Sequence, residues 1–511
     1  MTGFVGAEGV SAARSGPRID VAAFAVGAVL IVMTILKLTV YARQPLNMDE
    51  VWAGMIASQS SVKGLIHQAQ LDVNAPLSYL VAWLWARESG LSDAALRLPS
   101  ALLMCAAPLI PLAARRTLTR PVRLTWAVLL ACWFPGVIFA QEARCYGLLF
   151  FLATVSVVAY IQMLRRPTLI RALAWSGLSS LLILTHYFSI VLAACEGVAF
   201  LVIHRERALR TWPAALAFAP AFASLATKVV MLSTFARPGG SWIAPLGVAS
   251  LPQYAEFVLG GPGAPLGLAA WAAVALIVHI RYPANRASAT STGRWDAMST
   301  TVVVHLLSGA ICIGLGMTLP ILAIRYLTPL VPGILLGMAL IALRFSRSWP
   351  LAPALLGGGV FGLTLGLGMV ALISPPQGGE GFSFEGASQA LMQERPSKLV
   401  FFWDHAGTRQ PNPDQFAQIG GFFFDRAGKS IPIEVANWTP SLDPNRVLLA
   451  QASAPNSAIL WIYDRTVPGA AAIAHPPMIT KLDPRWACRD FGSRDISILA
   501  CHKLGDRMAP S

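Results

Sequence analysis

The sequence predicts a multi-span α-helical membrane protein carrying a small C-terminal α/β domain, on three observations. Of 511 residues, 55% are hydrophobic and only 13% charged, about half the ~25% charge of soluble domains. The apolar residues gather into runs near the ~20 residues that span a hydrocarbon layer. After Ser374-Pro375-Pro376 the composition turns soluble: residues 374–511 hold 13 Lys+Arg and 13 Asp+Glu, whereas residues 1–373 hold 26 and 12. The net charge of +14 therefore belongs to the membrane part, where it is a topology signal and not a nucleic-acid footprint.

In chain order, the first apolar run, 21–41, follows Arg14 and Arg18. No small-residue cleavage site stands close behind it, so it is read as a retained helix. Residues 42–94 form a long loop with Trp52, Trp83 and Trp85, broken at Asn74-Ala75-Pro76. Short helices lying along the interface are expected there, since Trp anchors well at that depth. Ten further runs follow, at 95–114, 122–140, 145–164, 172–187, 188–204, 211–235, 264–281, 300–320, 327–343 and 351–373, giving about eleven transmembrane helices. The loop 236–263 carries Pro238-Gly239-Gly240 and Gly260-Gly261-Pro262-Gly263, which permit movement; the loop 281–299 is polar. Beyond 373, strand-like runs at 398–403, 446–451, 458–463 and 496–501, with a helix-like 385–395, indicate the α/β domain. No internal repeat is apparent.

Orientation follows from the loops. One alternate set holds 17 basic residues, from Arg14 to Arg347, and four acids; the other holds seven basic residues and seven acids. The positive-inside rule puts the first set, and the N-terminus, in the cytoplasm. An odd number of spans then places residues 374–511 outside, on a multi-pass protein of the cell inner (plasma) membrane. Five cysteines sit in or beside spans, as small hydrophobes. Cys488 and Cys501 alone lie in the outer domain, where an oxidising compartment favours a disulfide over two buried thiols.

Charged clusters fall at outer helix ends: Asn47-Met48-Asp49-Glu50, Gln141-Glu142-Ala143-Arg144-Cys145-Tyr146 and Arg325-Tyr326-Leu327. Acidic residues accompanied by arginine at several ends on one side indicate a polar reaction centre at that face. With Asp72-Val73-Asn74-Ala75-Pro76-Leu77-Ser78-Tyr79, Ala95-Leu96-Arg97-Leu98-Pro99-Ser100 and His186-Tyr187-Phe188, these form an ordered series. Over about residues 20–345 the series resembles the bacterial branch of the dolichyl-phosphate-mannose protein mannosyltransferase family, which includes the lipid A aminoarabinose and galacturonic acid transferases.

The resemblance implies a GT-C type glycosyltransferase with a 1–373 catalytic membrane domain and a 374–511 extracytoplasmic domain. It implies a polyprenyl-phosphate sugar as donor, no required cofactor, and Asp49 as catalytic base. Arg144 and Arg325 are the donor-phosphate ligands it implies. Glu50, Asp72, Asn74, Tyr79, Glu142, Tyr146, His186, Tyr187 and Tyr326 are expected to bind substrate or support the site. The family's His or Glu in the first loop is replaced by Asn74, which removes support for a divalent metal there. His405, His475 and His502 have no metal-ligand spacing.

The chemistry is consistent with the residues themselves. Transfer from a lipid phosphate leaves a phosphate whose charge grows, and arginines stabilise it without a metal. An acceptor hydroxyl, by contrast, needs a carboxylate base. One base with an arginine clamp implies a single displacement with inversion. Glu142 has a structural pairing open to it as well as a functional role, and His186 is either interfacial or part of the site. Arg97 is expected to fix the first loop to the second span. Glu196 and Lys228 lie inside spans: they pair with each other, or Lys228 reaches the donor phosphate. The partners are the bilayer, the lipid-linked sugar and an acceptor lipid, glycan or protein. A transporter or flippase of a lipid-linked sugar is the alternative, and would place polar groups near the midplane.

A reporter fused after Ser511 is expected to be active only outside the cytoplasm. Cytoplasmic activity would reverse the orientation and move every site residue to the other face.

Overall fold

The computed structural model describes residues 20–40, 42, 44–237, 243–282, 296–373, 383–404, 412–437, 443–464, 478–492 and 496–503. Pro238-Gly239-Gly240, Ser374-Pro375-Pro376, His405, His475 and most of the loop 281–299 lie outside the described residues. All eleven apolar runs are helical. Seven of the helices are long and apolar enough to cross a membrane on their own, among them Val21–Thr39, Tyr146–Arg165 and Ile324–Phe345. Leu169–Thr185 and Ser189–His204 are shorter.

The second and third runs are interrupted. The second divides into Asp93–Ala106 and Leu109–Ala113, the third into Arg120–Ala131 and Pro135–Ala140. Pro108 and Pro135 stand at the breaks, because proline lacks the amide hydrogen and crowds the preceding turn. Tyr146–Arg165 runs through the middle of the bundle, with fourteen of its residues buried. Trp133 stacks on Phe150 with ring centroids 4.8 Å apart and donates to the Phe257 carbonyl at 2.7 Å, so its polar edge is satisfied inside the core. Gly147 lets this central helix approach the next: a Cβ there would lie 2.7 Å from Ser100 Cα and O.

The C-terminal domain is a five-stranded mixed sheet. Strands β1 (Lys398–Asp404), β2 (Ile433–Val435), β3 (Ser457–Asp464), β4 (Trp486–Asp490) and β5 (Ile496–Lys503) lie in the order β2-β1-β3-β5-β4. β1 runs parallel to β2 and β3, while β5 is antiparallel to β3 and β4. One expected strand is a helix. Residues 446–451 belong to Pro444–Gln451, started by the Asp443 side chain accepting from Asn445 N at 2.9 Å and by proline in the first turn. The run Val447-Leu448-Leu449 suits either structure, and capping decides it. Strand β2 and the helix Pro413–Arg426 were not foreseen.

Residues 42–94 carry three helices, Met48–Ala57, Val62–Gln70 and Leu77–Ser89. They share one hydrophobic cluster with the Phe384–Gln393 and Pro413–Arg426 face of the sheet. Trp52 meets Trp403 and Phe416 edge-on, at 5.8 and 5.7 Å. Gly54 admits the Phe422 ring, which a Cβ would approach to 2.8 Å. Arg426 bonds both Asp93 and Glu385. The interfacial role expected of the tryptophans is thus corrected for two of them: Trp83 is buried and Trp52 packs against the C-terminal domain.

Cys488 and Cys501 face each other in register across β4 and β5 and are joined by a disulfide. Closing so short a loop is expected to add roughly 2–4 kcal/mol to the domain's stability. Non-reducing peptide mapping should recover this single linked pair; two free thiols from fresh membranes would refute it.

Candidate active site

Two adjacent acids at the start of Met48–Ala57 have opposite fates. Asn47 Oδ1 accepts from Glu50 N at 3.0 Å, and Glu50 Oε2 accepts from Asn47 N at 2.9 Å. This capping box turns the glutamate back into the protein. There Glu50, 1% exposed, takes a bidentate bond from Arg97 (Nε 2.7 Å, Nη2 2.8 Å) and a third contact from Ala143 N at 2.9 Å. Arg97 also donates to the carbonyls of Gln44 (2.7 Å) and Pro45 (3.1 Å), joining the first loop to the second apolar run.

Asp49, one residue earlier, faces a cavity, with its side chain 54% exposed. Arg144 Nη1 stands 2.8 Å from its Oδ2 and Arg325 Nη2 stands 3.6 Å from the same oxygen. The Arg144 guanidinium lies over the Tyr146 ring, 5.2 Å from its centroid, and Ser100 Oγ holds the Arg144 carbonyl at 3.0 Å. Arg325 comes from the Ile324–Leu330 turn, where Thr328 Oγ1 donates to its carbonyl at 2.6 Å. Tyr326 packs on His186, ring centroids 4.5 Å apart.

Glu142 lies beside this group. Its Oε2 is buried without a hydrogen-bond partner, and burial, opposed by Arg144, pushes its carboxyl up to about 7. On the other wall, Asn74 Nδ2 donates to both Asp72 carboxylate oxygens, at 3.2 and 3.0 Å, and the Tyr79 hydroxyl also bonds Asp72. Their loop is held from behind. Lys228 Nζ donates to the carbonyls of Ala69 (2.6 Å), Gln70 (2.8 Å) and Asp72. The phosphate contact expected of Lys228 is therefore corrected: three carbonyls take the three ammonium protons. It does not pair with Glu196 either, which accepts from Trp175 Nε1 at 2.7 Å. Tyr187 bonds Ser224 at 3.0 Å and does not line the cavity.

The cavity holds about 610 Å³. Its lining combines the charged Asp49, Arg144 and Arg325 with the apolar Leu103, Leu148, Met231 and Phe235 from the helical bundle. The C-terminal domain adds Trp403, Asn412, Gln415 and Phe416 to its lining. Sequence reasoning missed these four, since nothing in the chain links them to residues some 350 positions earlier; the one local signal was Trp52, expected to be an interfacial anchor. A lining that is charged in part and apolar in part fits an amphiphile with an anionic head.

Two variants test the site's supports. Arg97→Ala leaves Glu50 buried and unpaired, and is expected to cost about 3–5 kcal/mol, read as loss of folded protein in detergent. Glu142 carries a pH signature. Its carboxyl rises from 4.5 in the unfolded chain to about 7 in the folded one, so between these values the folded state keeps a proton that the unfolded state has released. Its contribution to stability therefore falls as pH rises through that window. Melting temperatures of Glu142→Gln measured across it should lack this part of the slope; a slope identical to the parent's would show that Glu142 does not titrate there.

No protein-family model and no curated protein matches the chain. Among the solved structures that match it, two ArnT structures cover nearly all of the chain. The crystal structure of ArnT from Cupriavidus metallidurans bound to undecaprenyl phosphate has 13% identity and a TM-score of 0.57, covering 97% of this chain and 100% of that one. ArnT from the same organism in the apo state has 14% identity and a TM-score of 0.54, covering 94% and 97%. The chain shares the fold of ArnT, a bundle of membrane helices with a small C-terminal sheet domain.

Proposed function

We propose that this protein is an integral-membrane glycosyltransferase that moves a sugar from a polyprenyl-phosphate donor to a cell-envelope acceptor at the outer face. The observation that carries the reading is the Asp49 carboxylate paired with Arg144 and Arg325 in the lining of a cavity that also has apolar walls. The undecaprenyl phosphate of the ArnT structure has matching chemistry: an anionic head for the arginines and an isoprenoid chain for the apolar lining residues.

In the reaction, the acceptor hydroxyl gives its proton to Asp49 and its oxygen attacks the anomeric carbon. The carbon–oxygen bond to the donor phosphate breaks, and the electron pair stays on the phosphate. Arg144 and Arg325 hold the charge that develops there. A single displacement of this kind inverts the anomeric centre. Tyr146 lies beneath the Arg144 guanidinium, and Ser100 holds the Arg144 backbone through its carbonyl, so the arginine is positioned before substrate arrives. The distribution of basic residues between the two sets of loops supports a cytoplasmic N-terminus and a site on the outer side of the plasma membrane.

The test is an assay with a polyprenyl-phosphate sugar and a membrane extract as acceptor source, beside a donor-binding measurement. Asp49→Asn should lower transfer by about 10²-fold or more, in line with loss of a general base, while donor binding survives. Arg144→Ala and Arg325→Ala should weaken donor binding. Arg144→Lys should restore part of it, because an ammonium cannot reproduce the guanidinium fork. Near-normal turnover in Asp49→Asn would sink the proposed mechanism.

A further inference from the structure

A second cavity, of about 290 Å³, lies between the helices Leu169–Thr185, Ser189–His204 and Trp212–Phe235. Its walls are almost wholly apolar. It extends along the first of these helices from Ala172 to Ile183, eleven residues or roughly 16 Å of helix. That is close to half the ~30 Å hydrocarbon thickness of a bilayer, the depth one acyl chain occupies. Three of its lining residues are exposed on the outside of the bundle: Trp212 at 66%, Phe222 at 54% and Leu201 at 48%. The cavity is therefore a groove open to lipid.

One end of the groove is strongly basic. The turn between Leu201 and Trp212 holds Arg205, Arg207 and Arg210, all exposed, around the lining residues Ala208 and Thr211. None of the three makes an ion pair among the described residues, and Glu206 is the single acid in the turn. His204 Nε2 meets the Leu164 carbonyl at 2.9 Å, which brings the neighbouring Arg165-Arg166 turn alongside. Arg205 has φ 47°, a backbone that favours glycine, so an arginine there is held at a cost. Ordinary snorkelling arginines explain a basic helix end, but not one built onto the mouth of a lipid-facing groove.

We propose that this groove is a docking site for one anionic phospholipid, with an acyl chain along the apolar walls and the phosphate against Arg205, Arg207 and Arg210. Neutral lipids offer the chain without the charge, and soluble phosphates offer the charge without the chain. The site is separate from the Asp49 cavity and its occupancy does not depend on the reaction proposed there.

The experiment is native mass spectrometry of the delipidated full-length protein, mixed with equal amounts of phosphatidylglycerol and phosphatidylcholine of identical acyl chains. Wild type should retain one phosphatidylglycerol in preference to phosphatidylcholine. Combining Arg205→Gln, Arg207→Gln and Arg210→Gln should lower that preference roughly tenfold or more, as cations near a lipid surface each contribute. Gly197 also lines the groove, and a Cβ there would meet only Trp175, at 3.6 Å, so Gly197→Leu should fill it and reduce retention of both lipids. Equal retention of the two lipids by wild type would overturn the proposal without recourse to any variant. So would an unchanged preference in the triple variant, or displacement of the bound lipid by glycerophosphoglycerol lacking acyl chains.

Discussion

The buried carboxylate of Glu50 fixes the geometry on which the site depends. Taking an isolated carboxylate out of water costs several kcal/mol even after relaxation. Here four donors meet it: two from Arg97 and the backbone amides of Asn47 and Ala143. They come from three separate stretches of chain, the turn before Met48–Ala57, the helix Asp93–Ala106 and the turn Gln141–Cys145. Satisfying one charge therefore brings the three stretches to fixed positions. Asp49 is one residue from Glu50 and Arg144 is one residue from Ala143, so the 2.8 Å contact between Asp49 and Arg144 follows from the node behind them.

Lys228 works in the same way on the opposite wall. Its ammonium joins three carbonyls at the end of Val62–Gln70 and so seats the loop that presents Asp72 and Asn74. In both places a buried charge orders irregular backbone that apolar packing alone leaves free to slide. The C-terminal domain completes the enclosure through Trp403 and Phe416 packed on Trp52.

Much of this was legible in the sequence, for definable reasons. Span length and apolar composition mark all eleven helical runs, because the bilayer imposes both. The two interruptions were not marked, since proline is apolar and does not break a hydropathy pattern. Asp49, Arg144 and Arg325 stood out as charges at membrane ends, where their cost demands a purpose. Lys228 stood out equally, yet a charge inside an apolar run reveals no partner, and the three carbonyls it meets lie about 160 residues earlier. The helix Pro444–Gln451 was mistaken for a strand because three consecutive apolar residues have no period. The wall given by Trp403, Asn412, Gln415 and Phe416 rests wholly on long-range packing, which composition does not encode.

Charge balance ties the site residues to the chemistry proposed for them. With Glu142 neutral below about pH 7, Arg144 and Arg325 supply two positive charges and Asp49 one negative. A donor phosphodiester adds one more negative charge, so the filled site is neutral. During transfer the acceptor's proton arrives on Asp49 as the departing phosphate gains its second negative charge. Two arginines then face a phosphate dianion and a neutral acid, and the site is neutral again. Neither state leaves an unbalanced charge beside the hydrocarbon, where it would be most costly. Ionising Glu142 would break this balance in both states, which gives a reason for a carboxyl whose surroundings favour keeping its proton.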